Sequence, residues 1–163
     1  MPGFTWAVLA FITLMGQQMP WQKDASQAKA AEHQSVEYLF PEQISVTAKK
    51  PTEVDLHFRV QNGLHINSHT PREKSFIRTE LIVLEPQGVQ VTAVDFPPGS
   101  DYALASMPSE KLSVYSGDFV LRAHITAQLG EHLVAAQLRY QACDINSCYP
   151  PRKLPLALDV IAK

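Results

Sequence analysis

The sequence has little that charge or cofactor chemistry usually requires. No block of lysine or arginine stands out and the formal net charge is -2, so nucleic acid is not an expected partner. There is no phosphate-binding loop, no GxGxxG fingerprint and no GxSxG elbow. Beyond the N-terminus no apolar run is long enough to cross a membrane. Glycine (7) is outnumbered by proline (12). Proline is poorly tolerated in helix interiors and central strands, so short elements joined by turns are expected. Cysteine is the scarcest informative residue. There are two, Cys143 and Cys148, within YQACDINSCYPP. They are not spaced as C-x-x-C, so a thioredoxin active site is not indicated.

The N-terminus carries an apolar run, FTWAVLAFITLM (4–15). It is shorter than the about 20 residues that span a bilayer. Small residues follow, with Ala-x-Ala-like cleavage positions near Ala28, Ala30 and Ala31. Residues 1–31 are therefore expected to be a signal peptide with a linker, the alternative being an uncleaved N-terminal anchor. Either places the remainder outside the cytoplasm, where disulfides persist. Membrane contact is expected only through such an anchor.

Residues 32–163 read as one all-β domain beginning in earnest near Val36. In EVDLHFRVQ, Val54, Leu56, Phe58 and Val60 alternate with Asp55, His57, Arg59 and Gln61, the period of a half-buried strand. DFVLRAHIT and KLPLALDVI repeat the pattern. Weaker strands are expected over 43–49, 79–84, 89–96 and 133–141. Turn signals separate them, among them Asn62-Gly63, Pro97-Pro98-Gly99 and Ser116-Gly117. Seven to nine such strands suggest an immunoglobulin-like antiparallel β-sandwich, although Trp6 and Trp21 both precede the domain, leaving none between the sheets. The one helical signal, the TPRE cap at Thr70, runs into a β-rich segment and predicts one turn at most.

Two features carry candidate chemistry. His65 and His69 have H-x3-H spacing. In an extended GLHINSH they would stand roughly 13 Å apart, too far for one zinc ion with nitrogens at about 2 Å. Ordinary surface histidines are the expectation. The cysteine pair would close a ring of about six residues, for which loop entropy gives only ~2 kcal/mol. It is an inefficient staple for a domain able to bury its own core. Cys143 ends a strand-like run and Cys148 leads into the last strand, so the two can meet at a sandwich edge. The residues alone leave open a structural bridge, a redox-active pair and a metal site, in that order of weight.

The segment LRYQACDINSCYPPRKLPLAL resembles the active-site hairpin of the N-terminal periplasmic domain family of DsbD, a bacterial thiol:disulfide interchange protein. The pattern is Tyr-Gln-x-Cys, a short loop, then Cys-Tyr-Pro-Pro, here Tyr140, Gln141, Cys143, Cys148, Tyr149, Pro150 and Pro151. NGLHINSHTP, DFPPGS and SVYSGDFVL occur in the same order as in the family, and the resemblance extends over about residues 36–160. It implies an immunoglobulin-like sandwich with a redox-active Cys143–Cys148 pair and no other cofactor. It implies an electron relay rather than a stand-alone enzyme, taking electrons from a thioredoxin-like donor and passing them to periplasmic disulfide oxidoreductases. Cys148 would be the attacking thiol and Cys143 its resolving partner.

The family shields its pair with a cap loop, here SDYALASMPSEK (100–111). This cap is longer and has no Phe, which leaves Tyr102, Leu104 and Met107 as shield candidates. The loop between the cysteines is one residue shorter than in the best-known member. Where that member has two tyrosines facing the site, this chain has His65 and Asn67, and a nearby imidazole would tune the thiol. With Tyr140 and Tyr149 these complete the expected site lining. Because the sequence reaches Lys163 straight after the last strand, the electron donor is expected on a separate polypeptide, such as a CcdA-like membrane protein with a thioredoxin-like partner.

Overall fold

The computed structural model describes residues 34–40, 43–84, 87–104 and 107–163, with Met107 in backbone only. The expected signal or anchor segment and its linker lie outside the described residues. From Gln34 to Lys163 the chain clusters as one unit. Its elements are β1 (Val36–Leu39), β2 (Ile44–Val46), β3 (Thr52–Val60), β4 (His65–Asn67), β5 (Glu80–Leu84), β6 (Val89–Asp95), β7 (Ser100–Leu104), β8 (Met107–Tyr115), β9 (Asp118–Ala127), β10 (Gly130–Tyr140), β11 (Ala142–Cys143) and β12 (Arg152–Ala162). No helix occurs among the described residues, and the TPRE segment contributes only a turn closed by Phe76 N–H on the Glu73 carbonyl.

The strands form three sheets ordered β1-β3-β9-β6, β2-β12-β10-β5 and β11-β4-β8-β7. The first two face each other across the main core. Val54, Leu56, Phe58 and Val60 of β3 and Phe119, Leu121, Ala123 and Ile125 of β9 are buried from one side. Val134, Ala136 and Leu138 of β10 and Leu154, Leu156, Leu158 and Val160 of β12 are buried from the other. These are the period-two positions, so alternation alone placed them. The outer face of the first sheet carries charges in register: Arg59 opposite Asp118 and Asp55 opposite Arg122, each pair hydrogen-bonded twice. Exposed pairs of this kind fix register more than they stabilise.

The architecture is all-β and predominantly antiparallel, as expected, with more strands than expected. β2 runs parallel to β12, an exception to the antiparallel pattern. Ala48 N–H bonds the Lys163 carbonyl and Lys163 N–H bonds the Val46 carbonyl, locking the C-terminal end beside β2. The third sheet is built from continuations of the sandwich strands: β10 passes through Gln141 into β11, and β8 turns at Gly117 (φ 63°) into β9.

An aromatic cluster joins the sandwich to this third sheet. Phe58 stacks on Phe119 at 5.3 Å between ring centroids, and Phe119 on Tyr115 at 4.9 Å. Phe58 is fully buried, so Phe58→Ala should cost about 3–5 kcal/mol. Equilibrium denaturation of the two proteins would show it as a lower midpoint at unchanged slope.

Candidate functional site

β11 is two residues long and lies at the edge of the third sheet, paired antiparallel to β4 as Ala142 opposite Ile66 and Cys143 opposite His65. Cys143 also faces Cys148 across an isolated antiparallel bridge, and the two form a disulfide with Cα atoms 3.9 Å apart. The sulfurs sit in unequal surroundings. Cys143 is fully buried, whereas Cys148 is exposed.

The intervening loop is held by Asp144, which the sequence reading passed over. Its Oδ1 accepts the backbone N–H groups of Asn146 (2.7 Å) and Ser147 (2.8 Å). Its Oδ2 accepts the Tyr149 hydroxyl at 2.7 Å. The Tyr149 hydroxyl and the two amides hold the Asp144 carboxyl below its usual range, and the same bond raises the Tyr149 phenol. Asp144 N–H bonds the Ser147 carbonyl, and Tyr149 N–H bonds the Ala142 carbonyl. The readable signal was Asp-x-Asn-Ser, an Asx-turn sequence.

Gln141 ties this loop to β4. Its Nε2 donates to the Tyr149 carbonyl (3.2 Å), and its Oε1 accepts from Asn67 Nδ2 (3.3 Å), which also donates to the Ile77 carbonyl (3.0 Å). The glutamine of the Tyr-Gln-x-Cys motif thus links the Tyr149 backbone to the Asn67 side chain. Tyr140 belongs to the hydrophobic core, where burial raises its phenol against the opposing backbone groups of Ser35 and Val36.

The expectation of surface histidines fails for His65, which is 2% exposed. β4 is buried on both faces. Ile66 packs into the main core, and the His65 ring lies 4.0 Å from the Tyr102 ring of β7. Period two separates the faces of a strand but does not say that either is wet. Burial pushes the imidazole below its ordinary value, with the Asp144 carboxylate pulling weakly the other way. Among the described residues the buried Nε2 of His65 has no hydrogen-bond partner. His69 goes elsewhere: its ring stacks on Phe96 at 3.9 Å, and its Nδ1 lies 2.9 Å from the Thr79 carbonyl. With the thiols bonded to each other and the two rings engaged separately, these four residues do not form a zinc site.

The cap segment is a hairpin, not a loop. β7 and β8 pair from Ser100–Val114 to Leu104–Met107 with an irregularity after Ala103. Gly99 admits it: a Cβ there would lie 2.2 Å from Ser113 Oγ and 2.7 Å from Ser68 Cβ. Of the shield candidates, Tyr102 places its ring on His65, and Leu104 is half-buried at the hairpin end. An open depression of about 600 Å³ lies elsewhere, lined in part by Lys74, Arg78 and Arg139, and Glu80 pairs with both arginines. It contains no thiol.

The fold and the bonded cysteine pair define a β-sandwich domain with a small-ring disulfide at the edge of an appended sheet. The same fold occurs in the N-terminal periplasmic domain of ScsB. The crystal structure of the N-terminal periplasmic domain of ScsB from Proteus mirabilis superposes with a TM-score of 0.51 at 13% identity, covering 76% of this chain and 44% of that one. This chain therefore spans less than half of the ScsB chain. The reduced N-terminal domain of DsbD from Neisseria meningitidis gives a TM-score of 0.41 at 17% identity, over 68% and 79% of the two chains. No family model and no curated protein matches the sequence.

The buried imidazole has a consequence for stability. Its pKa is lowered in the folded state, so the unfolded chain binds the proton more readily, and stability must fall as pH drops below about 6.5. The Asp144 carboxyl is also lowered, but its contribution is lost only below about pH 4. Denaturation midpoints between these limits should decline in the wild type and flatten in His65→Gln. A slope unchanged by the substitution would contradict the assignment to His65.

Proposed function

We propose that this domain exchanges its Cys143–Cys148 disulfide with other thiol-disulfide proteins, outside the cytoplasm, as an electron relay. The observation that carries the reading is the asymmetry of the pair: Cys148 is exposed at a sheet edge, and the residue bonded to it, Cys143, is buried. The exposed Cys148 thiolate would attack a partner disulfide, forming a mixed disulfide and releasing one partner thiolate. Cys143 would then attack Cys148 Sγ, closing the internal disulfide and releasing the partner's second sulfur as thiolate. The partner gains two electrons and the domain is oxidised.

A small ring supports this reading over a staple. The loop keeps its shape through Asp144 and backbone hydrogen bonds that involve no sulfur, so reduction need not unfold the domain. Tyr102, Leu104 and Met107 are the proposed shield, and Tyr149 and Ile145, both exposed beside the pair, the proposed partner contacts. The two similar structures are the N-terminal periplasmic domain of ScsB and the N-terminal domain of DsbD. By analogy the electron donor is thioredoxin-like and the acceptors are periplasmic disulfide oxidoreductases, in a setting such as cytochrome c biogenesis.

Equilibration with glutathione tests the proposal. A relay pair should have a potential above about -300 mV, whereas structural bridges fall below it, and the reduced protein should retain a cooperative unfolding transition. A lower potential, or unfolding on reduction, would leave only a structural bridge. Removing the resolving thiol in Cys143→Ala should make the mixed disulfide on Cys148 accumulate on mass analysis with a thioredoxin-like partner.

A further inference from the structure

We propose that His65 is the proton acceptor for Cys143, its Nε2 holding the Cys143 thiol proton in the reduced domain and removing it as Cys143 attacks Cys148. This rests on the exchange reading and adds to it the group that activates the resolving thiol.

The placement comes from the sheet. Cys143 and His65 are directly opposite across β11 and β4, and opposed residues of an antiparallel pair project to the same face with Cβ atoms about 5 Å apart. Among the described residues His65 Nε2 is buried without a hydrogen-bond partner while the sulfurs are bonded to each other. Buried polar atoms are nearly always paired. A disulfide sulfur has no proton to donate, whereas a thiol does, so reduction creates a donor beside an orphan acceptor.

The chemistry also requires a base here. Burial in apolar surroundings raises a thiol pKa, and the thiolate is the nucleophile. Cys143 is fully buried. Burial favours the neutral imidazole, the form able to take a proton. The groups around the ring are the Asp144 carboxylate from the cysteine loop, which attracts the imidazolium once formed, and the Tyr102 phenol ring from β7. On β8, Tyr115 is partnered with Ile66 and so belongs to the other face of β4. In the resolving step the S–H proton moves to Nε2, the Cys143–Cys148 bond forms, and the bond from Cys148 to the partner sulfur breaks. The partner's thiolate then takes the proton from the imidazolium, directly or through water.

Reduced full-length protein mixed with dithiobis(nitrobenzoate) separates the steps. The first coloured thiolate reports attack by Cys148 and the second reports resolution by Cys143. In His65→Gln, which can accept a hydrogen bond but not remove a proton, the second release should slow about a hundredfold near neutral pH. It should recover only as pH rises well beyond about 8.5, where a free thiol ionises, because burial shifts the Cys143 thiol upward. The first release should be unchanged. Equal effects on both releases, or no effect on the second, would overturn the assignment. Imidazole nitrogen NMR of the wild type needs no substitution: the His65 Nε2 resonance should move on reduction, and identical spectra in both redox states would equally overturn it. Failure of the first release would refute exchange itself, a result distinct from either.

Discussion

The pairing of β11 with β4 holds the site together. Two ladder positions place Cys143 opposite His65, and the bridge from Cys143 to Cys148 continues the same edge. β4 can serve as this platform because it is covered on both sides, by Ile66 and Tyr115 in the core and by Tyr102 over His65. A strand of three residues has little pairing energy of its own. Its position is fixed by neighbouring side chains, with Thr79 Oγ1 donating to the Asn67 carbonyl (2.6 Å) and, just past the strand, Ser68 Oγ against Ser113 Oγ (2.8 Å).

Much of the sandwich was legible because β3, β9 and β12 alternate cleanly. The cap hairpin was not. SDYALASMPSEKLSVY interrupts alternation with Pro108 and three consecutive polar residues, Ser109, Glu110 and Lys111, and it sits in an appended sheet whose outer strand is largely exposed. The parallel β2–β12 contact was equally hidden, since a three-residue strand announces no direction. Both are consequences of tertiary packing overriding a weak local pattern.

At the site, spacing and resemblance singled out the cysteines, and they are bonded. Sequence reasoning placed His65 on the surface because its neighbours Leu64 and Ile66 looked like the inward set. It could not know that a second layer covers the other face. Asp144 was missed although its turn chemistry was readable, because attention to the two sulfurs treated the residues between them as a spacer. Tyr140, grouped with the site by the motif, is a core residue whose neighbour Gln141 makes the connections to Asn67 and Tyr149.

The unequal burial of the two cysteines would work as a valve on the proposed exchange. A bulky reagent approaching this edge meets Cys148, while Cys143 has no exposed surface. Exchange at the pair would then have a built-in order: the outer residue addressed from outside, and the inner one only by its neighbour. Regiochemistry that a flexible dithiol would leave to relative acidity would here be decided by depth below the surface.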